Sequence, residues 1–333
     1  MKINLLIATV DALYAKLLSD NISEHHADKI AVSVCCSLEG LQETLFQRKL
    51  NVALFDAQLI EHIDTKLIDL PMLLWSETEV FGDLHKEFGI VNKYQRISSI
   101  VATVLEQYAK QSKRSCNPSS NRAKITAVWS PAGGVGKTSV ALAYALSNAG
   151  EDKEVFYLNL EYFTSIPDYF GENGKSISTV FEMLENHEGN IKMLIQGLCS
   201  KENGITYLCS PENFDDMCIL SSEEVHELIT TCSAISDELV IDLSCICDAR
   251  TRKVFDLADN VLLVAGQTTT AKIKLTQFLS QSDIFKSIKD KITLVANKGA
   301  NISNQSIESI ISFPYIQSSD AKSVIHQMKG YIL

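Results

Sequence analysis

No apolar run in the 333-residue chain approaches the roughly 20 residues needed to cross a bilayer. The sequence is also short of positive charge: 30 Lys and Arg stand against 41 Asp and Glu, a net charge of −11. Neutralising phosphates takes a basic surface, so this balance argues against a general DNA- or RNA-binding role. The nine cysteines, an odd number, include no C-x-x-C pair of zinc-type spacing. They read as ordinary thiols of a reducing compartment. Cys245 and Cys247 form a C-x-C pair, but no second pair or His cluster accompanies it. The seven His show no paired spacing with acids, and His25 and His26 read as loop residues. There is no internal repeat and no low-complexity tract. The opening MKINLLIATVDALYAK meets Asp11 before any cleavage-site pattern, so it reads as a first strand and not a secretory signal. A cytoplasmic protein is the expectation.

What is present is a folded-protein profile, 46% apolar and 21% charged, at a length that suits two domains. The stretch KQSKRSCNPSSNR (110–122) is polar, lacks apolar periodicity and carries Pro118, the composition of a linker. It divides the chain into residues 1–110, a linker 111–122, and residues 123–333. Before Arg122 stand 12 basic and 15 acidic residues, and from Arg122 onward 18 and 26, so neither half hides a basic module.

Both halves alternate short apolar runs with amphipathic stretches. The first has strand patterns at 3–8, 29–34, 51–56, 71–76 and 88–93, the second at 125–130, 154–161, 205–210, 238–244, 260–266 and 291–298. Runs of about six apolar residues separated by helical periodicity suit parallel sheets covered on both faces. The expectation is therefore α/β: two doubly wound domains whose function sits in loops at the carboxyl ends of strands. The C-terminal SDAKSVIHQMKGYIL places Val324, Ile325 and Met328 at helical spacing, read as a core-facing helix rather than a membrane-targeting tail. Any membrane association is therefore peripheral at most.

The strongest motif is SPAGGVGKT (130–138), between an apolar strand and an Ala-rich helix. Pro131 occupies the first glycine position of G-x-x-x-x-G-K-[ST], but GGVGKT is intact. Glycines let the backbone N–H groups of Gly133, Gly134, Val135 and Gly136 curl toward phosphates, and the following helix presents its positive end. Lys137 suits the β and γ phosphates, Thr138 suits Mg²⁺, and Ser139 suits the α phosphate.

GGVGKT after a strand resembles the deviant Walker A loop of MinD/ParA-like ATPases, and further motifs follow in order over 122–333. The resemblance implies ATP and Mg²⁺ as ligands. In VFYLNLE, Asn159 and Glu161 stand where the family has two aspartates, and Glu161 would orient a water. LVIDLS places Asp242 as the Walker B acid, holding Mg²⁺ through water. LVANKG places Asn297 where the family reads the adenine edge, and FPYIQ carries Pro314 near the base-flanking loop. Lys137, Glu161 and Asp242 are thus the implied catalytic set. Two departures matter. Ala132 stands where the family carries a signature lysine that reaches a partner subunit's phosphates, and Asn159 cannot act as a base. Together they imply slow or absent hydrolysis.

The first half resembles a response-regulator receiver, a flavodoxin-like fold. Asp56 ends the third strand at the phosphoacceptor position, Ser76 ends the fourth at the switch position, and Lys93 ends the fifth at the lysine position. The first strand departs: Thr9 and Val10 stand where two metal-holding acids belong, with only Asp11 after them. Phosphoryl transfer to a carboxylate needs that metal, so a degenerate receiver serving as an interaction domain is expected. The order of the two domains resembles the TadZ/CpaE family of Tad (Flp) pilus biogenesis. That resemblance implies a dimeric, ATP-binding factor, located at a pole or membrane patch, whose partners are pilus and secretion assembly proteins and not DNA. A partition ATPase and a phosphorylated signalling protein are the alternatives.

Overall fold

The computed structural model describes residues 2–27, 29–47, 50–60, 65–76, 88–111, 122–150, 152–171, 176–186, 189–300, 307, 310–318 and 320–332. Most of the expected linker 111–122 lies outside them. By its contacts the chain divides into two compact units, Met1–Arg114 with Glu188–Leu198, and Ser115–His187 with Cys199–Leu333.

The first unit is built on five strands, β1 (Ile3–Ala8), β2 (Ile30–Cys35), β3 (Leu50–Asp56), β4 (Ile68–Trp75) and β5 (Gly89–Asn92). They pair in the order β2-β1-β3-β4-β5, every pair parallel. Alternate residues of a strand face opposite sides, and both sides here are apolar. Leu5, Ile7, Val52, Leu54, Met72 and Leu74 pack with helices Ala12–His25 and Ile97–Gln111. Leu6, Ala8, Ala53 and Phe55 pack with Leu41 and Leu59 on the other face. β3, covered on both sides, has all seven residues buried.

The helix Ile191–Leu198, from the second half of the sequence, belongs to this first unit. Asn190 N donates to Ala109 O (2.7 Å), and Asn190 Oδ1 caps the helix by accepting from Met193 N (3.1 Å). Its close approach depends on Gly197: a Cβ there would stand 2.7 Å from Leu105 Cβ.

The second unit carries eight strands: β6 (Lys124–Trp129), β7 (Val155–Leu160), β8 (Ser200–Glu202), β9 (Ile205–Tyr207), β10 (Glu238–Leu243), β11 (Asn260–Ala265), β12 (Ile292–Ala296) and β13 (Ile310–Ser312). Their order is β13-β12-β11-β6-β10-β7-β9-β8, all parallel except the β8–β9 pair. The three-residue edge strands β8 and β13 were not expected from the sequence. Helix Lys137–Asn148 buries an unbroken run from Val140 to Leu146 against this sheet. The terminal helix Ala321–Lys329, capped by Asp320 (Ser323 N to Oδ2, 2.9 Å), sinks Ile325 and Met328 into the same cluster. SEEVHEL forms a helix start with a full capping box between Ser221 and Glu224. Among the described residues no helix is long and apolar enough to cross a membrane, and no cluster of His, Cys, Asp and Glu is arranged to hold a metal.

Candidate functional site

β6 ends at Trp129, and the chain turns through 130–136 into helix Lys137–Asn148. Gly134 and Gly136 take φ of +72° and +90°, which L side chains rarely adopt. Gly136 is doubly constrained, because a Cβ there would lie 2.5 Å from Asn297 Nδ2. Ser130 Oγ accepts from Ala132 N (3.2 Å), and Ala132 itself is buried. Gly133 and Gly134 are exposed and Val135 is buried.

The carboxyl ends of β6, β7 and β10 lie side by side, with Asp242 in register with Val128 on one side and Asn159 on the other. This registration assembles one connected polar network. The Lys137 ammonium is 3.3 Å from Glu161 Oε1, and Thr138 Oγ1 donates to Glu161 Oε2 (3.2 Å). Asn159 Oδ1 accepts from Glu161 N (3.0 Å), fixing the strand end. Asn159 Nδ2 donates to Tyr157 Oη (3.0 Å) and, more weakly, to Asp242 Oδ2 (3.4 Å). Tyr157 Oη donates to the same Asp242 Oδ2 (2.9 Å). Ser139 Oγ lies 3.4 Å from Tyr169 Oη.

Asp242 is fully buried, and its Oδ1 makes no hydrogen bond of ordinary geometry among the described residues. Burial, and then the charge of Glu161, push its carboxyl up to about 7, against the pull of Thr138, Lys137 and Tyr157. Burial and the Asp242 charge push the Tyr157 phenol well above its ordinary value, so it is a donor at neutral pH. A buried carboxylate oxygen with no hydrogen bond of ordinary geometry, a neighbouring hydroxyl and ammonium, and a glycine turn close by suit a magnesium-bound polyphosphate. Thr138 and Asp242 could hold such a metal, and the turn 133–139 could cradle the phosphates.

Asn297 is drawn into the loop. Its Nδ2 donates to Val135 O (2.8 Å), its Oδ1 accepts from Lys298 N (2.9 Å), and it is buried. Pro314 follows β13, beside Phe313, whose backbone pairs with Ala296 and Gly299. Two residues of this region escaped the sequence reading. Tyr157 lies inside the apolar run VFYLNLE, and Lys298 directly follows Asn297 in LVANKG.

In the first unit, Asp56 is 2% and Lys93 8% exposed, and Lys93 Nζ lies 2.6 Å from Asp56 Oδ1. Asp56 Oδ2 accepts from Thr9 Oγ1 (2.6 Å) and from Val10 N (3.0 Å). Thr9 thus spends its hydroxyl on the acid it sits beside. Asp11 is turned away as the cap of helix Ala12–His25, accepting from Tyr14 N (3.0 Å). Tyr14 Oη donates to Lys93 O (2.8 Å), and burial pushes its phenol up to about 12, with Tyr94 and Asp56 adding to the shift. Ser76 lies just beyond the end of β4, half-buried.

A mostly parallel sheet, a glycine turn leading from a central strand into a helix, and a buried acid on the adjacent strand make an α/β fold with a P-loop-like turn. Among solved structures, the chain is similar to a ParA family ATPase from Chlorobium tepidum TLS, at 18% identity over 64% of this chain and 97% of that one, TM-score 0.52. It also matches a plasmid partition protein from Borrelia burgdorferi (17% identity, 63% and 97% covered, TM-score 0.46) and the septum site-determining protein MinD, complexed with Mg-ADP, from Pyrococcus horikoshii OT3 (14% identity, 62% and 94% covered, TM-score 0.46). At these identities the likeness is one of fold. No family model matches the chain, and no curated protein matches it.

Proposed function

We propose that the second unit binds Mg·ATP and that the chain is a nucleotide-controlled localisation or assembly factor of the TadZ/CpaE kind, acting in Tad-type pilus biogenesis as a homodimer. The observation that carries the nucleotide reading is the set formed by Lys137, Thr138 and Glu161 beside a buried Asp242 whose Oδ1 lacks an ordinary hydrogen bond. Gly133–Thr138 supplies backbone N–H groups, Lys137 offsets phosphate charge, and Ser139 is a further hydroxyl donor beside the loop. The metal, once bound, would neutralise the β and γ oxygens. Asn297 would flank the base while tying down the loop.

Turnover is slow in this reading. Ala132 offers only a methyl group where the resemblance implies a lysine, and Asn159 is a hydrogen-bond donor to Asp242 and not a second acid. Nucleotide then serves as a shape-fixing ligand. The first unit acts as a receiver-like interaction domain: Lys93, Thr9 and Val10 already occupy the Asp56 carboxylate, which disfavours the signalling alternative. The likeness to a ParA family ATPase keeps a partition ATPase as the second reading. The acidic balance speaks for protein partners over DNA, and the site of action proposed is the cytoplasmic face of the inner membrane or a cell pole.

The experiment is sedimentation of the purified chain with and without Mg·ATP, alone and with the secretion ATPase of a Tad system, alongside Ala132→Lys. The reading expects ATP-dependent dimers, co-sedimentation with the secretion ATPase, and faster phosphate release in the variant. Rapid turnover by the wild type together with salt-sensitive DNA binding would favour the partition reading instead.

A further inference from the structure

The turn after β12 reaches the phosphate loop at two consecutive carbonyls. Asn297 Nδ2 donates to Val135 O (2.8 Å), and Lys298 Nζ donates to Gly134 O (3.2 Å). The turn itself is tightly built. Ala300 N donates to Asn297 O (3.1 Å), and both central residues have positive φ, +56° at Lys298 and +70° at Gly299, as in a type I′ turn. Lysine is a poor choice for such a position, because its Cβ crowds the backbone there. The strained conformation nevertheless sets the lysine stem so that its ammonium meets the loop.

Peptide geometry converts these two contacts into a statement about the cradle. In a planar trans peptide the C=O of one residue and the N–H of the next point in opposite directions, and the described chain has no cis peptide. Holding Gly134 O and Val135 O toward 297–298 therefore aims the Val135 and Gly136 N–H groups away from that turn. Those two N–H groups belong to the segment that would face phosphate.

Charge adds a second argument. The Lys137 ammonium is partly offset by Glu161 (3.3 Å). Lys298 has no carboxylate within ion-pair distance among the described residues; its partner is a neutral carbonyl. Ala132 contributes no cation. Among the described residues, the positive charge that touches the loop without a carboxylate beside it is thus that of Lys298, in the same chain.

We propose that Lys298 is a positioning residue for phosphate binding: it orients the Gly134–Val135 peptide and supplies, in cis, a positive charge at the loop that Ala132 cannot. This rests on the nucleotide-binding reading above and assigns a role to a residue outside the glycine motif.

The test is calorimetric titration of the full chain with Mg·ATP, ADP, AMP and adenosine, for wild type, Lys298→Met, Lys298→Arg and Lys137→Ala. Met keeps most of the stem and removes the charge and the donor. The expected result is a loss of about tenfold for ATP in Lys298→Met, the scale of one screened charge–phosphate interaction. The loss should shrink through ADP and AMP and vanish for adenosine. Lys298→Arg should restore most of it, and the salt dependence of ATP binding should be shallower in Lys298→Met than in wild type. Equal ATP affinity in Lys298→Met and wild type would overturn the proposal, as would an equal loss for all four ligands, which marks a purely structural turn. Failure of the wild type to bind any nucleotide is a different result, and sinks the nucleotide reading itself.

Discussion

The Glu161 carboxylate holds both Lys137 (3.3 Å) and Thr138 (3.2 Å), the cation and the hydroxyl on which a magnesium-bound phosphate would depend. A bound phosphate therefore competes with an acid of the same chain for the same two donors. Glu161→Gln weakens that competitor. The variant should bind metal-free ADP several-fold more tightly than wild type while losing any residual phosphate release. Parallel ADP titrations in EDTA and steady-state phosphate assays check both halves; unchanged ADP affinity would show that Glu161 does not obstruct the loop.

Asp242 links the site to stability. Its folded-state carboxyl sits at about 7 against an ordinary 3.8, so between those values the folded chain holds a proton that the unfolded chain has released. Stability without ligand then falls as pH rises from about 4 to about 7, and stays low above. Asp242→Asn removes the penalised charge. Its melting temperature without nucleotide or metal should exceed that of wild type at pH 8, and the gap should close toward pH 5. Thermal melts of both proteins across that range provide the check. The same variant should lose the magnesium-dependent part of nucleotide affinity.

The strands were legible in the sequence because buried parallel strands are apolar on both faces. NVALFD, LVIDLS and NVLLVAG announce β3, β10 and β11, and their acid or glycine ends announce where loops begin. The glycine turn was legible because GGVGKT sets glycines at 134 and 136, the two positive-φ positions, directly ahead of a helix start. Contacts set by register were not. Tyr157 meets Asp242 only because β7 pairs with β10, and nothing in VFYLNLE distinguishes a polar anchor from a core aromatic. Lys298 depends on a turn whose handedness the sequence does not state. The helix Ile191–Leu198 has a clear apolar face, but periodicity does not say that it packs on helix Ile97–Gln111 from the other half of the sequence.

The buried ion pair of the first unit gives a separate expectation. Among the described residues, Lys93→Met leaves the buried Asp56 charge with the Thr9 hydroxyl and Val10 N–H as its partners, a loss of about 3–5 kcal/mol for a broken buried pair. The double variant Asp56→Asn with Lys93→Met should recover most of it. Hydrogen exchange of β1 and β3 amides reads the effect locally. Wild-type Asp56 should also remain unmodified when the chain is incubated with a small phosphodonor and Mg²⁺, whereas a stable adduct on intact protein would show the carboxylate to be accessible.

The most direct measurement is a calorimetric titration of the intact chain with Mg·ATP, beside Lys137→Ala. Saturable binding to one site per chain, abolished or greatly weakened by the substitution, is the expected result. A wild-type chain that takes up no adenine nucleotide, with or without magnesium, would contradict the assignment of the 133–139 turn as a phosphate cradle.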